Sequence, residues 1–556
     1  MVMVHNLKIR RVATSAAIVS LVAATSGQAQ VNLSGSAVVR QVFTDTTGGA
    51  SPTSGWLETG LSGLANIETR RVNGAVAATV TRRFEQWGRV NRSYRVNADG
   101  ELTGTLIPRN LFLTVGGRAS QYQRDSRGFV GSNPDADNGN TAQVFAVYAE
   151  PSVRTSLGAG MDASATYRIG KTTVDGVRSS ALLLNGDIGL DGNSSGARGL
   201  SDSLSQSATI SAGLTPGRQR FGLRVVGRWT KEEIDELDQR YRSYSVSGQG
   251  TYQASRKLSF TIEGGYEDIL NRQQSILFDP VTNLPLVGPD GEFLPDPVNP
   301  RRTAFDRSGA FGTVGFRYAP SRRANFSLQV GYRYGDPNIN ASMTFEPMPK
   351  VVVTGRYNEG LSSFGRLLTQ SIDGEVVSVQ RTNQTTGFGE CTLGRDPVTG
   401  GCLGNLTQSL VPATFRSRRG SVGVIYDAGQ MTFGANLFYN ERGYVDLQQL
   451  QVAGDADVTA QSFSNDDTSY GISGIVTYKP GARQTFTISG SYSRNAFALS
   501  ENRTDDLIAG SISYKRDLGN SLALVSRAGA ALRSSDDGFS RDSKNYSASL
   551  GLTYSF

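Results

Sequence analysis

The chain has 556 residues, a formal net charge of +7, 65 glycines and a hydrophobic fraction of only 38%. That length allows several soluble domains or one large barrel, and the glycine-rich, weakly apolar composition favours the barrel. No run of eighteen apolar residues follows the amino-terminal region, so no transmembrane helix is expected beyond it.

The first segment reads as a secretory signal peptide, residues 1–29. Lys8, Arg10 and Arg11 precede an apolar run from Val12 to Ala24, and Gly27-Gln28-Ala29 supplies small residues around a cleavage point. A short amphipathic anchor is the alternative, and the small residues placed for a peptidase argue against it. Gln30 follows in place of a cysteine, which speaks against a lipoprotein. Loss of this segment removes three cations, leaving +4 over residues 30–556. So mild an excess gives no reason to expect nucleic acid as a partner. His5, the only histidine, leaves with the same segment. Ser-His-Asp hydrolysis and His-ligated zinc both need an imidazole, so no catalytic residues, cofactor or metal site are expected, and only a carboxylate-only enzyme stays open.

Residues 30–556 are then expected to form one domain. Weak two-residue alternation predicts strands near 31–43, 57–68, 74–83, 98–107 and 111–122. A short strand at 143–150 precedes the longest alternation, Val153 to Gly170. There the odd positions are Val153, Thr155, Leu157, Ala159, Met161, Ala163, Ala165, Tyr167 and Ile169, and every even position is polar or glycine. Read as one strand, 153–170 is long enough to cross a bilayer at a tilt. Strands follow near 204–214, 219–231, 241–253, 257–269, 306–318, 325–334, 339–346 and 351–360. The last are near 414–427, 430–444, 466–478, 484–498, 504–515, 521–534 and 542–556.

A hairpin recurs in this region. Tyr252 and Phe260 lie eight residues apart, as do Tyr318 and Phe326, and Tyr478 and Phe486, with Tyr266, Tyr332 and Tyr492 six residues further on. Tyr426, Phe433 and Tyr439 repeat the pattern with a turn one residue shorter, and Tyr514 with Leu522 repeats it with an aliphatic residue. Tight turns bracketed by aromatics, alternating with longer connections, predict short periplasmic turns and long extracellular loops. A soluble β-solenoid is the alternative, but its repeats would not alternate connection lengths in this way.

Two connections are long. Residues 270–305 carry six prolines, and residues 361–413 carry both cysteines, Cys391 and Cys402. In an oxidising compartment this pair is expected to close a local disulfide; the loop lacks the further ligands a metal site would need. The acidic run Glu232, Glu233, Asp235, Glu236 and Asp238 reads as a solvated loop edge, or as a place where divalent cations bridge to lipopolysaccharide.

The chain closes on the cleanest strand of all. From Asn545 to Phe556 the even positions are Tyr546, Ala548, Leu550, Leu552, Tyr554 and Phe556, and the odd positions are polar or glycine. Apolar residues between aromatic ends fit a strand that faces acyl chains on one side. Tyr554 and Phe556 also resemble the terminal signature by which barrel assembly machinery recognises its clients. The fold expected is an all-β, single-chain, antiparallel transmembrane barrel of about 22 strands (range 18–24), with both termini in the periplasm.

If the apolar face meets lipid, the opposite face lines a lumen. Arg154, Arg168, Arg220, Arg224, Arg228, Arg317, Arg333 and Arg356 fall on it, together with Asp162, Glu263 and Glu267. Two readings stand: an internal Arg–carboxylate lattice that stiffens the wall, or a cationic constriction for anionic solutes.

The segments Gly264-Gly265-Tyr266-Glu267, Val314 to Arg322, Val330 to Gly335 and Val353-Thr354-Gly355-Arg356-Tyr357 resemble outer-membrane barrels that accompany exopolysaccharide and exosortase (PEP-CTERM) gene clusters. The resemblance implies a role in production or export of surface polysaccharide, and it brings no catalytic motif. The expected partners are outer-membrane lipid and lipopolysaccharide, the assembly machinery, and polysaccharide or another anionic solute. A general diffusion porin and a structural or receptor barrel acting through its loops are the alternatives. A receptor with an amino-terminal plug is disfavoured, because strands begin close after Ala29.

Overall fold

The computed structural model describes residues 30–47, 53–88, 93–123, 141–158, 160–175, 202–216, 220–235, 238–274, 302–362, 415–444, 466–496, 504–536 and 542–556, with a few isolated positions between them. The signal peptide, the disulfide expected at Cys391 and Cys402 and most of the two longest connections lie outside the described residues; β11 and β12 take up 270–273 and 302–305 of the first, and β15 takes up 361–362 of the second.

Twenty-two strands and no helix make up this region. They begin with β1 (Gln30–Thr47), β2 (Ser54–Glu68), β3 (Val72–Trp87), β4 (Tyr94–Ile107), β5 (Leu111–Gln123), β6 (Thr141–Gly158) and β7 (Met161–Asp175). Next come β8 (Ser203–Leu214), β9 (Phe221–Ile234), β10 (Gln239–Gln253), β11 (Leu258–Gln273), β12 (Arg302–Ser321), β13 (Ala324–Arg333), β14 (Asp336–Met348) and β15 (Val351–Ser362). The series closes with β16 (Phe415–Asp427), β17 (Met431–Tyr444), β18 (Asp466–Gly481), β19 (Gln484–Ala496), β20 (Thr504–Asp517), β21 (Leu522–Ser535) and β22 (Ser543–Ser555).

Each strand pairs antiparallel with the next, and β22 pairs with β1 from Ser36↔Ser555 to Thr47↔Lys544, so the sheet closes on itself. Closure removes both edges, which hydrocarbon could not satisfy. At the seam Gly35 and Phe556 exchange two backbone hydrogen bonds of 3.0 and 2.9 Å, and the Phe556 ring lies over Gly35, where a Cβ would come within 2.5 Å of it.

Alternation decides which face of each strand looks outward. Leu33, Leu61, Ile210, Val246, Ile262, Ile512 and Leu550 are exposed on the outer wall, whereas Asn545, Ser547 and Ser549 point inward and are buried. The aromatic hairpins are built as expected: Tyr252↔Phe260, Tyr318↔Phe326, Tyr426↔Phe433 and Tyr478↔Phe486 are cross-strand partners beside the short turns. Their rings stack at 6.1 to 6.5 Å in the last three pairs, and Tyr266, Tyr332, Tyr439 and Tyr492 form a second exposed row higher on the wall. Two aromatic rows bounding an aliphatic band are what a bilayer selects.

Two sequence expectations are corrected. The single strand at 153–170 is a hairpin: β6 runs to Gly158, and β7 starts at Met161. Thr155 pairs with Ala163 and Val153 with Ala165, so both arms keep odd residues outward and the alternation passes through the turn unbroken. Gly158 and Gly160, with φ of 86° and 81°, make the reversal possible. The second correction concerns Tyr514 and Leu522, which are not partners. β20 continues to Asp517, so Tyr514 pairs with Ser526 and packs at a tilt against Phe486 at 4.6 Å, while Leu522 pairs with Tyr554.

Candidate functional site

The inner wall is built from alternate residues of every strand, and its charged members pair across neighbouring strands. Register explains which meet. Arg40 faces Glu58, and Glu58 faces Arg83, because β1, β2 and β3 bring the three to one level. The Glu58 carboxylate accepts from Arg40 Nη2 at 2.5 Å and Arg83 Nε at 3.1 Å, with all three side chains at 5% exposure or less. The Arg83 guanidinium also covers the ring of Trp56 at 5.0 Å, and Trp56 is fully buried. Further round the wall Arg118 Nε donates to Asp99 at 2.8 Å, and Arg533 bonds the carboxylate of Asp505.

Four of the eight expected lumen arginines are locked in the same way. Arg168 donates to Glu150 at 2.5 Å and lies 4.3 Å over the ring of Tyr148. Arg224 donates to Asp162 at 2.6 Å, and the Thr215 hydroxyl donates to the same carboxylate. Arg228 reaches Glu263 at 3.3 Å, to which Ser247 also donates. Arg333 donates to Glu267 at 2.9 Å, and the backbone N–H of Tyr334 completes that carboxylate's shell. The expected acids Asp162, Glu263 and Glu267 are thus each matched to a guanidinium, which is the lattice reading. Charge-assisted bonds between adjacent strands restrict shear of a wide wall, although breaking one matters more than its net worth.

Three other expected arginines stand apart. Arg154, Arg317 and Arg356 are exposed, each four or five residues from the short-turn end of its strand. Arg317 Nε donates to the Asn325 amide at 3.0 Å, and among the described residues none of the three has a carboxylate partner. Arg220 lies one residue before β9, exposed at the short-turn rim, where its carbonyl accepts from Gln253 N–H at 2.7 Å.

The lumen is therefore unequal along its axis. Inward side chains near the long-loop end are packed away from solvent: Val42, Trp56, Val144, Ala146, Thr172, Glu232, Ile269, Asn271, Ala531 and Asn545 are at 2% exposure or less. The small cluster of Tyr241, Ile269 and Leu361, with Tyr334 against it, belongs to this region. Glu232 corrects the reading of the acidic run as a solvated edge: it lies inside β9 and is buried, while Glu233 faces outward in an ion pair with Lys231 at 2.8 Å. Asp235, just beyond the strand, has its carboxyl pushed up by burial and by the neighbouring Asp202, Glu233 and Asp238.

The sequence signal that could have found the Arg40–Glu58–Arg83 group is the inward parity of each residue. Alternation alone does not show that they share a level, because that depends on the ladder registers. Among the described residues no group of three His, Cys, Asp or Glu side chains is placed to hold a metal.

No protein-family model matches the chain, and no curated protein matches it. Among solved structures it is similar to the siderophore receptor PiuA from Acinetobacter baumannii, at 10% identity and a TM-score of 0.45 over 94% of this chain and 82% of that one. It is also similar to the copper transporter OprC, at 10% identity and 0.43 over 94% and 81%, and to OccK9 (OpdG) of Pseudomonas aeruginosa, at 10% and 0.32 over 95% and 99%. Such likeness is one of general architecture only. On its closed ladder, lipid-facing alternation and paired aromatic rows, the chain is a β-barrel of the outer-membrane type.

Proposed function

We propose that the barrel is a gated pathway for anionic solutes across the outer membrane, with a cationic vestibule at its short-turn end and a packed constriction at its long-loop end. The observation that carries this reading is the contrast within one residue type. Arg168, Arg224, Arg228 and Arg333 are consumed by carboxylates, whereas Arg154, Arg317 and Arg356 project exposed from the inner wall without one. Fixed guanidiniums along a lumen attract and select anions, and their planar fork matches carboxylate better than an ammonium does. The resemblance of the central hairpins to barrels of exopolysaccharide clusters favours an acidic surface polysaccharide as the solute.

The test is uptake into proteoliposomes of short oligosaccharides matched in length, one series uronic and one neutral. Faster passage of the uronic series, abolished by replacing Arg154, Arg317 and Arg356 with Gln, supports the reading. Equal passage of both series by the unaltered protein refutes it.

A further inference from the structure

A different feature lies on the outside of the barrel. The sheet opens at the upper end of two seams, β4–β5 beyond Ala98↔Ala119 and β14–β15, and it is the second that matters here: β14 and β15 pair from Met348↔Val351 to Ala341↔Tyr357 and then separate, leaving residues 336–340 and 358–362 without ladder bonds to each other. Side chains take over the gap. Glu359 accepts from Ile339 N–H at 3.3 Å, Asn340 accepts from Glu359 N–H at 3.2 Å, and Asn338 donates to the Glu359 carbonyl at 3.3 Å. Arg416 of the next strand donates to the Pro337 carbonyl at 2.6 Å and contacts Asp336 and Glu359 at 2.8 and 3.4 Å.

Directly below this fork, toward the short-turn end, the outer wall is hollow. Ala341, Gly355 and Gly420 are small residues at outward positions of three consecutive strands. Around them stand Phe326, Leu328, Met343, Val422 and Leu437, and the hollow measures about 520 Å³. That lies within the roughly 300–1,000 Å³ typical of small-molecule sites. Its upper lip is polar. Tyr357 and Tyr439 turn their hydroxyls to Glu359 and Glu441, at 2.7 and 2.5 Å, and Arg418 bridges the two carboxylates. Arg416 keeps a buried Nε–H without an acceptor, and the Nε of Arg418 lies 3.7 Å from Glu359 Oε1.

We propose that this hollow binds an acyl chain of an outer-leaflet glycolipid of the lipopolysaccharide type, with its sugar head at the Arg416–Arg418–Glu359–Glu441 lip. Two physical points argue for that occupant. The hollow sits between the two aromatic rows and so faces hydrocarbon, where an empty apolar site forfeits dispersion contacts and water finds no partners. The lip mixes guanidinium donors with carboxylate acceptors at near-balanced charge, which suits sugar hydroxyls, able to donate and accept, better than a bare phosphate.

The test uses the full-length protein in proteoliposomes doped with lipid A whose acyl chain carries a diazirine; a parallel sample carries phosphatidylcholine with the same label. After irradiation the adducts are mapped by mass spectrometry. The expected result is lipid A labelling at Met343 and Leu437 about tenfold above the equally lipid-facing Ile488 and Ile512, the enrichment that about 1.4 kcal/mol of preferential occupancy gives. Ala341→Leu, which fills the floor, should remove that enrichment; the map of the unaltered protein decides the matter even if this variant does not insert. Uniform labelling of the wall, equal enrichment by phosphatidylcholine, or crosslinks between two copies of the chain at this site would each overturn the proposal.

Discussion

Replacing Glu58 with Ala removes a buried carboxylate shared by Arg40 and Arg83 without touching the outer wall. In the intact protein Glu58 is 1% exposed and accepts from both guanidiniums, at 2.5 and 3.1 Å. Breaking a buried ion pair by deleting one partner costs about 3–5 kcal/mol, because the remaining charge stays where water cannot solvate it well. Here two cations lose a shared acceptor but keep other contacts, so a loss of about 3–5 kcal/mol is expected. Glu58→Gln keeps the shape and one acceptor oxygen and should cost less, about 1.5–3 kcal/mol for the lost charge assistance. Arg83 also covers Trp56, one of three tryptophans in the chain, so its release should change the fluorescence of a fully buried indole. Urea unfolding in detergent micelles, followed by that fluorescence and by heat-modifiable gel mobility, measures both effects. A Glu58→Ala variant within about 1 kcal/mol of the parent, the level of an exposed pair, would refute the view that this lattice stiffens the wall.

Further outcomes follow from single positions. Gly160→Val places a β-branched residue at φ 81° in the β6–β7 turn and should cost about 1–3 kcal/mol of unfolding free energy; no change would mean that the turn lies elsewhere. Phe556→Ser strips the ring from over Gly35 at the closing seam, so the fraction of chain reaching the folded, heat-modifiable form in cells should fall. Unchanged insertion would count against the assembly role expected of Tyr554 and Phe556. Asp235 has a raised pKa, so its ionisation opposes the folded state. The stability linked to its neutral form is complete below the ordinary carboxylate pKa and lost as pH rises through the raised value. Asp235→Asn should therefore stabilise the protein at pH 7, and the gain should vanish in acid below about pH 4; a gain that persisted there would exclude titration of this carboxyl as its source.

Much of the barrel is legible in the sequence because one face of every strand meets a different medium from the other. Leu550 and Ser549 report that difference residue by residue, and the aromatic pairs such as Tyr478 and Phe486 mark where strands turn. What local pattern cannot carry is register. Val153 to Gly170 conceals a hairpin because its arms share parity, and the alternation misplaces the partner of Tyr514 because β20 runs two residues beyond the predicted end at 515. The same limit applies to the site. That Arg168 and Arg333 face inward follows from alternation; that Glu150 and Glu267 meet them, while Arg154 and Arg356 meet no carboxylate among the described residues, follows only from how neighbouring ladders align. The hollow between β13 and β17 is still less visible, since it depends on three small residues in three different strands.

The cationic vestibule is probed by the reversal potential of the purified protein in a planar bilayer under a potassium chloride gradient at neutral pH. A small, anion-selective conductance is expected, and its selectivity should be lost when Arg154, Arg317 and Arg356 are replaced by Gln. A cation-selective or wide, unselective conductance would contradict it.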